Sequence, residues 1–274
     1  MLKRHLIVLD LDGTTLTDKK TIDTPTVKAI HRLQREGHAV MIATGRPYRS
    51  SEPYYKELQL QTPIVNFNGA YIHHPLDNSY ELSHTPLPMQ VAHDIVEACH
   101  QFDFHNIIAE VIDDVYFHYH DERLLDIFTM GNPQMTTGDL RSYLTTDPTS
   151  MLIHAPESYV HGIRHHLSEA HAEVIDHRRW AAPWHVIEVV HAGIHKAVGI
   201  QKVAKELDIP SSRIISFGDE DNDLEMLEYA GIGVAMGNAT PEVKQVANEV
   251  TLTNEQNGVA AFLNDYFFSS THPL

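Results

Sequence analysis

The sequence predicts an α/β protein in which a three-layer parallel-sheet core carries an inserted α+β domain. Three observations predict it. Short apolar runs alternate with amphipathic helical patterns at both ends of the chain, the rhythm of a parallel sheet with right-handed crossovers. The middle of the chain instead sets helices beside adjacent strand pairs, which favours helices on one face of a mainly antiparallel sheet. With 274 residues, 42% hydrophobic and 21% charged, there is enough chain for one large domain or two smaller ones.

The elements follow in order. His5–Asp10 reads as a buried strand, because its apolar run is continuous. A helix is expected over Thr24–Glu36, with Pro25 in its first turn and Gly37 past its end. His38–Ala43 and Pro63–Phe67 are further buried strands. Tyr71–Thr85 is a strand pair or linker punctuated by Pro75, with Pro86 and Pro88 just beyond. The inserted region then reads as a helix (Met89–Phe102), two strands (Asn106–Ile112, Val115–His120) joined at Asp113-Asp114, and a helix beginning at Asp121. A strand (Ser150–His154), a helix (Ser158–His171) and two strands (Ala172–Arg178, His185–Val190) complete it. The alternating pattern resumes with a helix over His195–Leu207 and a strand over Arg213–Phe217. Next come Asn222–Tyr229 as helix, Ile232–Ala235 as strand, Pro241–Ala247 as helix, Val250–Leu252 as edge strand and Gly258–Phe268 as a closing helix. The core is therefore assigned to residues 1–82 and 188–274, and the insertion to 83–187.

A formal charge of −17 argues against nucleic acid and anionic membranes as partners, since both are polyanions. Any phosphate site must reverse that field locally. Cys99 is the single cysteine, so no internal disulfide forms, which fits a reducing cytoplasm. Asp10 and Asp12 end the first apolar run too early for a secretory leader, and no stretch approaches transmembrane length. A soluble, cytoplasmic protein is expected.

Asp10-Leu11-Asp12-Gly13-Thr14 is the most informative stretch. Two carboxylates at the end of a buried strand are costly unless a cation sits on them. A hard divalent metal supplies it, because Mg²⁺ takes oxygen ligands and keeps room for waters and phosphate. An acidic strand-to-helix turn with Gly13 at positive φ explains the same residues, and the stretch alone does not decide between the two. Other strand ends add weight. His38–Ala43 ends in Thr44-Gly45-Arg46, and Arg213–Phe217 ends in Gly218-Asp219-Glu220-Asp221-Asn222-Asp223. Open parallel sheets bind ligands outside the carboxyl ends of their strands, so these motifs, with Lys196 at a helix start, converge on one crevice.

The combined set resembles the haloacid-dehalogenase superfamily, and within it the Cof-type phosphatases with a large inserted cap. The resemblance rests on Asp10-Leu11-Asp12-Gly13-Thr14, Ala43-Thr44-Gly45-Arg46, Asn68-Gly69-Ala70, Lys196 and Gly218-Asp219-x-x-Asn222-Asp223, in the family's order. It implies a Rossmann-like core, an α+β cap over the crevice, and a Mg²⁺-dependent phosphatase acting on a small phosphorylated metabolite through an aspartyl phosphate. Asp10 would be the nucleophile. Asp12 would protonate the leaving oxygen and then activate water. Asp10, Asp219 and the Asp12 carbonyl would hold the metal. The Leu11 backbone, Thr44, Gly45, Lys196 and Asn222 would bind the phosphoryl oxygens. Asp223 would orient Asp219 or a metal-bound water, and Arg46 is a possible substrate contact. Ala197 departs from the glycine that often follows this lysine. A phosphomutase and a non-catalytic phosphometabolite sensor are the rival functions. Substrate and oligomeric state stay open.

Other features are weaker. His161/His165 and His191/His195 have i,i+4 spacing, and His73-His74 and His165-His166 are adjacent. No HExxH motif or cysteine partner turns these histidines into a zinc site. Asp219–Asp223 lacks the glycine and terminal glutamate of a calcium loop. Gly231-Ile232-Gly233 misses the dinucleotide spacing. His118, His120, Trp180 and Trp184 belong either to a substrate pocket or to the core of the cap.

Overall fold

The computed structural model describes residues 3–122, 124, 128–171, 173–179 and 186–269. The chain divides into two units. The first comprises Met1–Gly45, Ser51–Leu82 and His195–Leu274; the second comprises Arg46–Ser50 and Ser83–Ile194.

The first unit starts with β1 (Leu6–Leu9), α1 (Thr24–Arg35) and β2 (Ala39–Ile42). Every residue of β1 and β2 is buried, as expected of parallel strands covered on both faces. Pro25 sits in the first turn of α1, where its missing N–H costs nothing. Gly37 then takes a φ of +92° as the chain turns into β2. After α2 (Tyr48–Glu57) come β3 (Ile64–Asn66) and β4 (Tyr71–His73), an antiparallel pair. A parallel bridge from Ala43 to Val65 sets β3 beside β2.

The second unit adds β5 (Ser83–His84), α3 (Met89–Cys99), β6 (Asn106–Val111), β7 (Asp114–Phe117) and β8 (Met135–Thr137). It continues with α4 (Leu140–Tyr143), β9 (Ser150–His154), α5 (Glu157–His171), β10 (Ile175–Arg179) and β11 (Val186–His191). Six of its strands form one sheet in the order β10-β11-β9-β6-β7-β8. All neighbours are antiparallel except β7 and β8. Alternation splits its apolar residues between two faces. Ile107, Ala109, Met151, Ile153, Ile187 and Val189 pack with the helix residues Ile95, Leu140 and Ile163. Ile108, Val115, Phe117, Leu152 and Val186 pack with Leu124 and Phe128 on the other side. Part of the helix expected from Asp121 lies outside the described residues. The sequence reading returns to the core at 188, whereas β11 pairs with β9 up to Val189 and with β10 up to His191, and the second unit runs to Ile194.

The chain re-enters the first unit with α6 (Lys196–Glu206), β12 (Ile214–Gly218), α7 (Leu224–Tyr229), β13 (Ile232–Ala235), α8 (Pro241–Val246), β14 (Glu249–Val250) and α9 (Gly258–Phe268). The parallel sheet has the order β14-β13-β12-β1-β2. One layer of helices is built from α1 and α9, the other from α6, α7 and α8. From β1 the chain moves outward to β2; from β12 it moves outward in the opposite direction to β13. The order therefore reverses between β1 and β12, and the carboxyl ends of these two neighbours flank the crevice where such sheets bind ligands.

Candidate active site

Asp10 leaves the end of β1 with its N–H on the Phe217 carbonyl of β12 at 3.2 Å. A single wide turn follows, Leu11–Thr15, closed by the Leu16 N–H donating to the Leu11 carbonyl at 2.8 Å. Gly13 takes φ +73° inside it. A Cβ there would lie 2.2 Å from Asp219 Oδ2, so both backbone angle and space demand glycine. The Thr15 hydroxyl donates to the Asp10 carbonyl at 2.6 Å and locks the turn.

Asp219 follows β12 directly. Thr14 donates its hydroxyl to Asp219 Oδ1 at 2.6 Å. Asn238, beyond β13, spans the Gly13 carbonyl at 2.8 Å and Asp219 Oδ2 at 3.5 Å. Lys196 opens α6 and is fully buried. Its Nζ donates to Asp10 Oδ1 at 2.6 Å and to Asp223 Oδ1 at 2.7 Å. The other oxygen of Asp223 accepts the N–H groups of Asp219 (2.9 Å) and Glu220 (3.1 Å). Asp223 thus fixes the lysine and the main chain at Asp219.

The electrostatics are lopsided. Asp10, Asp219 and Asp223 are buried, and each brings a carboxylate oxygen into a group within 4.8 Å. One buried lysine faces three carboxylates. Burial, with Asp223 and Asp219 nearby, pushes the Asp10 carboxyl well above its ordinary range despite Lys196. Burial and Asp223 push Asp219 up to about 7. Burial alone would lower the Lys196 pKa, but Asp10 and Asp223 hold it above the usual lysine value. Hard oxygen donors with surplus negative charge fit a divalent cation of the Mg²⁺ type. Asp223 has both oxygens engaged, and Asp10 gives one to Lys196. Thr14 takes Asp219 Oδ1, and Asn238 is a long 3.5 Å from Oδ2, so Asp10 Oδ2 and Asp219 Oδ2 would be the ligands. Among the described residues, this acidic group is the cluster of histidine, cysteine or acidic side chains able to hold a metal, and no histidine pair joins one.

The remaining expected residues fall as follows. Thr44, at the end of β2, is buried; its N–H donates to Val65 and its carbonyl accepts the Asn68 N–H at 3.1 Å. Gly45 lies against Asn68, whose Nδ2 would be 3.2 Å from an added Cβ. Asn222 donates to Asn68 Oδ1 at 3.0 Å, so Asn68 ties the Thr44 loop to the Asn222 turn. The Asp12 carboxylate pairs with Lys20 at 2.7 Å and stands apart from the metal-competent group, where only its carbonyl is expected. Arg46 groups with the second unit, its Nη1 3.4 Å from the Ser50 carbonyl. His118 is buried and its Nδ1 accepts the Leu140 N–H at 3.3 Å, a core role. His120 is exposed. Trp180 and Trp184 lie outside the described residues.

Sequence reasoning missed Thr14, Lys20, Asn68 and Asn238 as site residues. Thr14 and Asn68 stood inside quoted motifs. Lys20 and Asn238 carried no local signal.

Comparison with known proteins agrees with this geometry. Residues 7–263 match the model of the haloacid dehalogenase-like hydrolase family. This chain belongs to that family. The hydrolase is 59% identical over 265 residues to 5-amino-6-(5-phospho-D-ribitylamino)uracil phosphatase YitU of Bacillus subtilis, covering 97% of this chain and 98% of the relative. It is 29% identical over 270 residues to pyridoxal phosphate phosphatase YbhA of Escherichia coli, covering 94% and 97%. Its fold is similar to a haloacid dehalogenase-like hydrolase from Bacteroides thetaiotaomicron, with a TM-score of 0.84, 27% identity and coverage of 97% and 100%. The structure of TM0651 from Thermotoga maritima gives a TM-score of 0.82 at 27% identity, covering 98% and 99%. The hydrolase is a phosphatase, and its fold is the expected α/β core with an inserted second unit. No helix among its described residues is long and apolar enough to cross a membrane.

Proposed function

We propose that this phosphatase is Mg²⁺-dependent and hydrolyses 5-amino-6-(5-phospho-D-ribitylamino)uracil. The buried Asp10–Lys196–Asp223 chain carries the chemistry. The 59% identity to the Bacillus relative across nearly the whole of both chains supports the substrate.

Asp10 is the nucleophile. Its oxygen forms a bond to phosphorus as the ester P–O bond breaks, and Asp12 passes its proton to the departing alkoxide to release the alcohol. Water then attacks the acyl phosphate. The Asp10–phosphorus bond breaks, Asp12 takes the water's proton, and phosphate leaves. Lys196 neutralises charge shared by Asp10 and the transferring group. Thr44, Gly45, Asn222 and the Leu11 backbone hold the phosphoryl oxygens. Asp10, Asp219 and the Asp12 carbonyl would bind Mg²⁺, which supplies Lewis-acid stabilisation of the phosphoryl charge. Asp223 keeps Lys196 and the Asp219 backbone in place.

The test is inorganic phosphate release from a panel of the ribitylaminouracil phosphate, pyridoxal phosphate and sugar phosphates, with and without chelator. The ribitylaminouracil ester is expected to show the highest kcat/KM, with turnover stopped by chelation and restored by Mg²⁺. A tenfold or greater preference for another ester would overturn the substrate. Chelator-insensitive turnover would overturn the metal. Phosphoryl return to the substrate without phosphate release would indicate a mutase.

A further inference from the structure

Lys20 sits where glycine or asparagine is the economical choice. Its φ is +59°, a left-handed conformation that strains any residue with a Cβ. The strain is held by the fold. The Lys20 N–H donates to the Thr17 carbonyl at 2.8 Å, and its own carbonyl accepts the hydroxyl of the buried Tyr54 at 2.9 Å. Thr17 and Thr21 close the loop around it, through a main-chain bond and a hydroxyl pair, both at 2.9 Å. What this strained position delivers is an ammonium group 2.7 Å from Asp12 Oδ1. Both side chains are about half exposed, and ion pairs of that kind add little to stability. Strain maintained for a pair of small stabilising value points to function.

We infer that Lys20 is a positioning residue for Asp12, holding the carboxylate in the orientation from which it serves the leaving-group oxygen. Asp12 lies in a turn containing a glycine, and its side chain makes this contact from outside the buried lysine network. Lys20 removes rotational freedom from the group whose proton must arrive as the ester bond breaks. The inference rests on the reading of Asp12 as the acid in the first step.

The test uses kcat/KM, which reports steps up to ester cleavage, on two substrates. One is 4-nitrophenyl phosphate, whose weakly basic leaving group departs without help from an acid. The other is the alkyl phosphate turned over fastest in the substrate panel. Lys20→Gly relieves the left-handed strain, so its melting temperature is expected to match or exceed wild type. Its kcat/KM is expected to fall about tenfold on the alkyl ester, a part of the 10²–10⁴ that acid–base catalysis supplies. The aryl ester is expected to lose less than about threefold, and Lys20→Arg to recover most of the loss. Equal effects on both esters, or none, in a background where Asp12→Asn is inactive, would overturn the role of Lys20 alone. An Asp12→Asn variant with full alkyl-ester turnover would overturn the reading of Asp12 and this inference with it.

Discussion

Replacing Lys196 by methionine is the most demanding perturbation of the site. The ammonium is fully buried, 2.6 Å from Asp10 and 2.7 Å from Asp223. A unit charge about 4 Å from the transferring phosphoryl group, at an effective dielectric near 20, is worth about 4 kcal/mol. That amounts to roughly three orders of magnitude in rate. Removing one partner of a buried pair also costs about 3–5 kcal/mol of stability, because the other charge is left uncompensated. The single variant can therefore fail to fold for a reason unrelated to catalysis. The double variant Lys196→Met/Asp223→Asn removes one charge of each sign and limits that loss. Phosphate release gives kcat/KM, and circular dichroism with a thermal melt establishes folding. Both variants are expected to fall about a thousandfold in kcat/KM, with the double variant melting above the single one. A folded Lys196→Met enzyme within tenfold of wild type would refute the electrostatic argument.

Asp10→Asn should abolish turnover and prevent trapping of a phosphorylated protein, yet melt at or above the wild-type temperature, since burial already disfavours this charge; residual turnover with a labelled aspartate elsewhere would contradict it. Gly13→Ala should lose both activity and stability. Its Cβ would be 2.2 Å from Asp219 Oδ2 and its φ costs about 1–2 kcal/mol. The resulting shift of the turn should lower kcat about a hundredfold, and unchanged kinetics would show the turn to be more tolerant than the contact implies. Burial and the neighbouring His74 lower His73 to about 4, against about 6.5 in the unfolded chain. The folded protein then binds fewer protons between those values, so stability falls as pH drops from about 6.5 towards 4. Screening at this partly exposed ring limits the loss to about 1 kcal/mol. Urea midpoints at pH 7 and pH 5 should converge in His73→Gln, and an unaltered slope would exclude His73 as the source.

Much of this was written along the chain. The runs that became β1, β2 and β12 are buried on both faces; in β1 and β2 this is visible in sequence because no polar residue interrupts them, while β12 buries Ser216 among apolar neighbours. The motifs ending them follow from the same geometry: a buried strand must emerge somewhere, and Asp10, Thr44 and Asp219 mark where these strands do. Gly13 was legible as a turn glycine because its conformation is local. The end of the inserted unit was less legible. Glu188-Val189-Val190-His191 gives no local sign of which domain it joins, and only pairing with β9 up to Val189 and with β10 up to His191 assigns it to the second unit.

Partnerships across the fold belonged to tertiary structure alone. Asp223 and Lys196 are 27 residues apart, and Lys196 and Asp10 are 186 apart; nothing in either neighbourhood says that one ammonium serves both carboxylates. Lys20 reaches Asp12 because Tyr54 and Thr17 bend its loop, and Asn238 reaches Gly13 because β13 lies beside β12. Residue type and local periodicity set which groups are available and which strands are buried. The reversal of strand order between β1 and β12 decides which of those groups share a dielectric, and so which charges are felt.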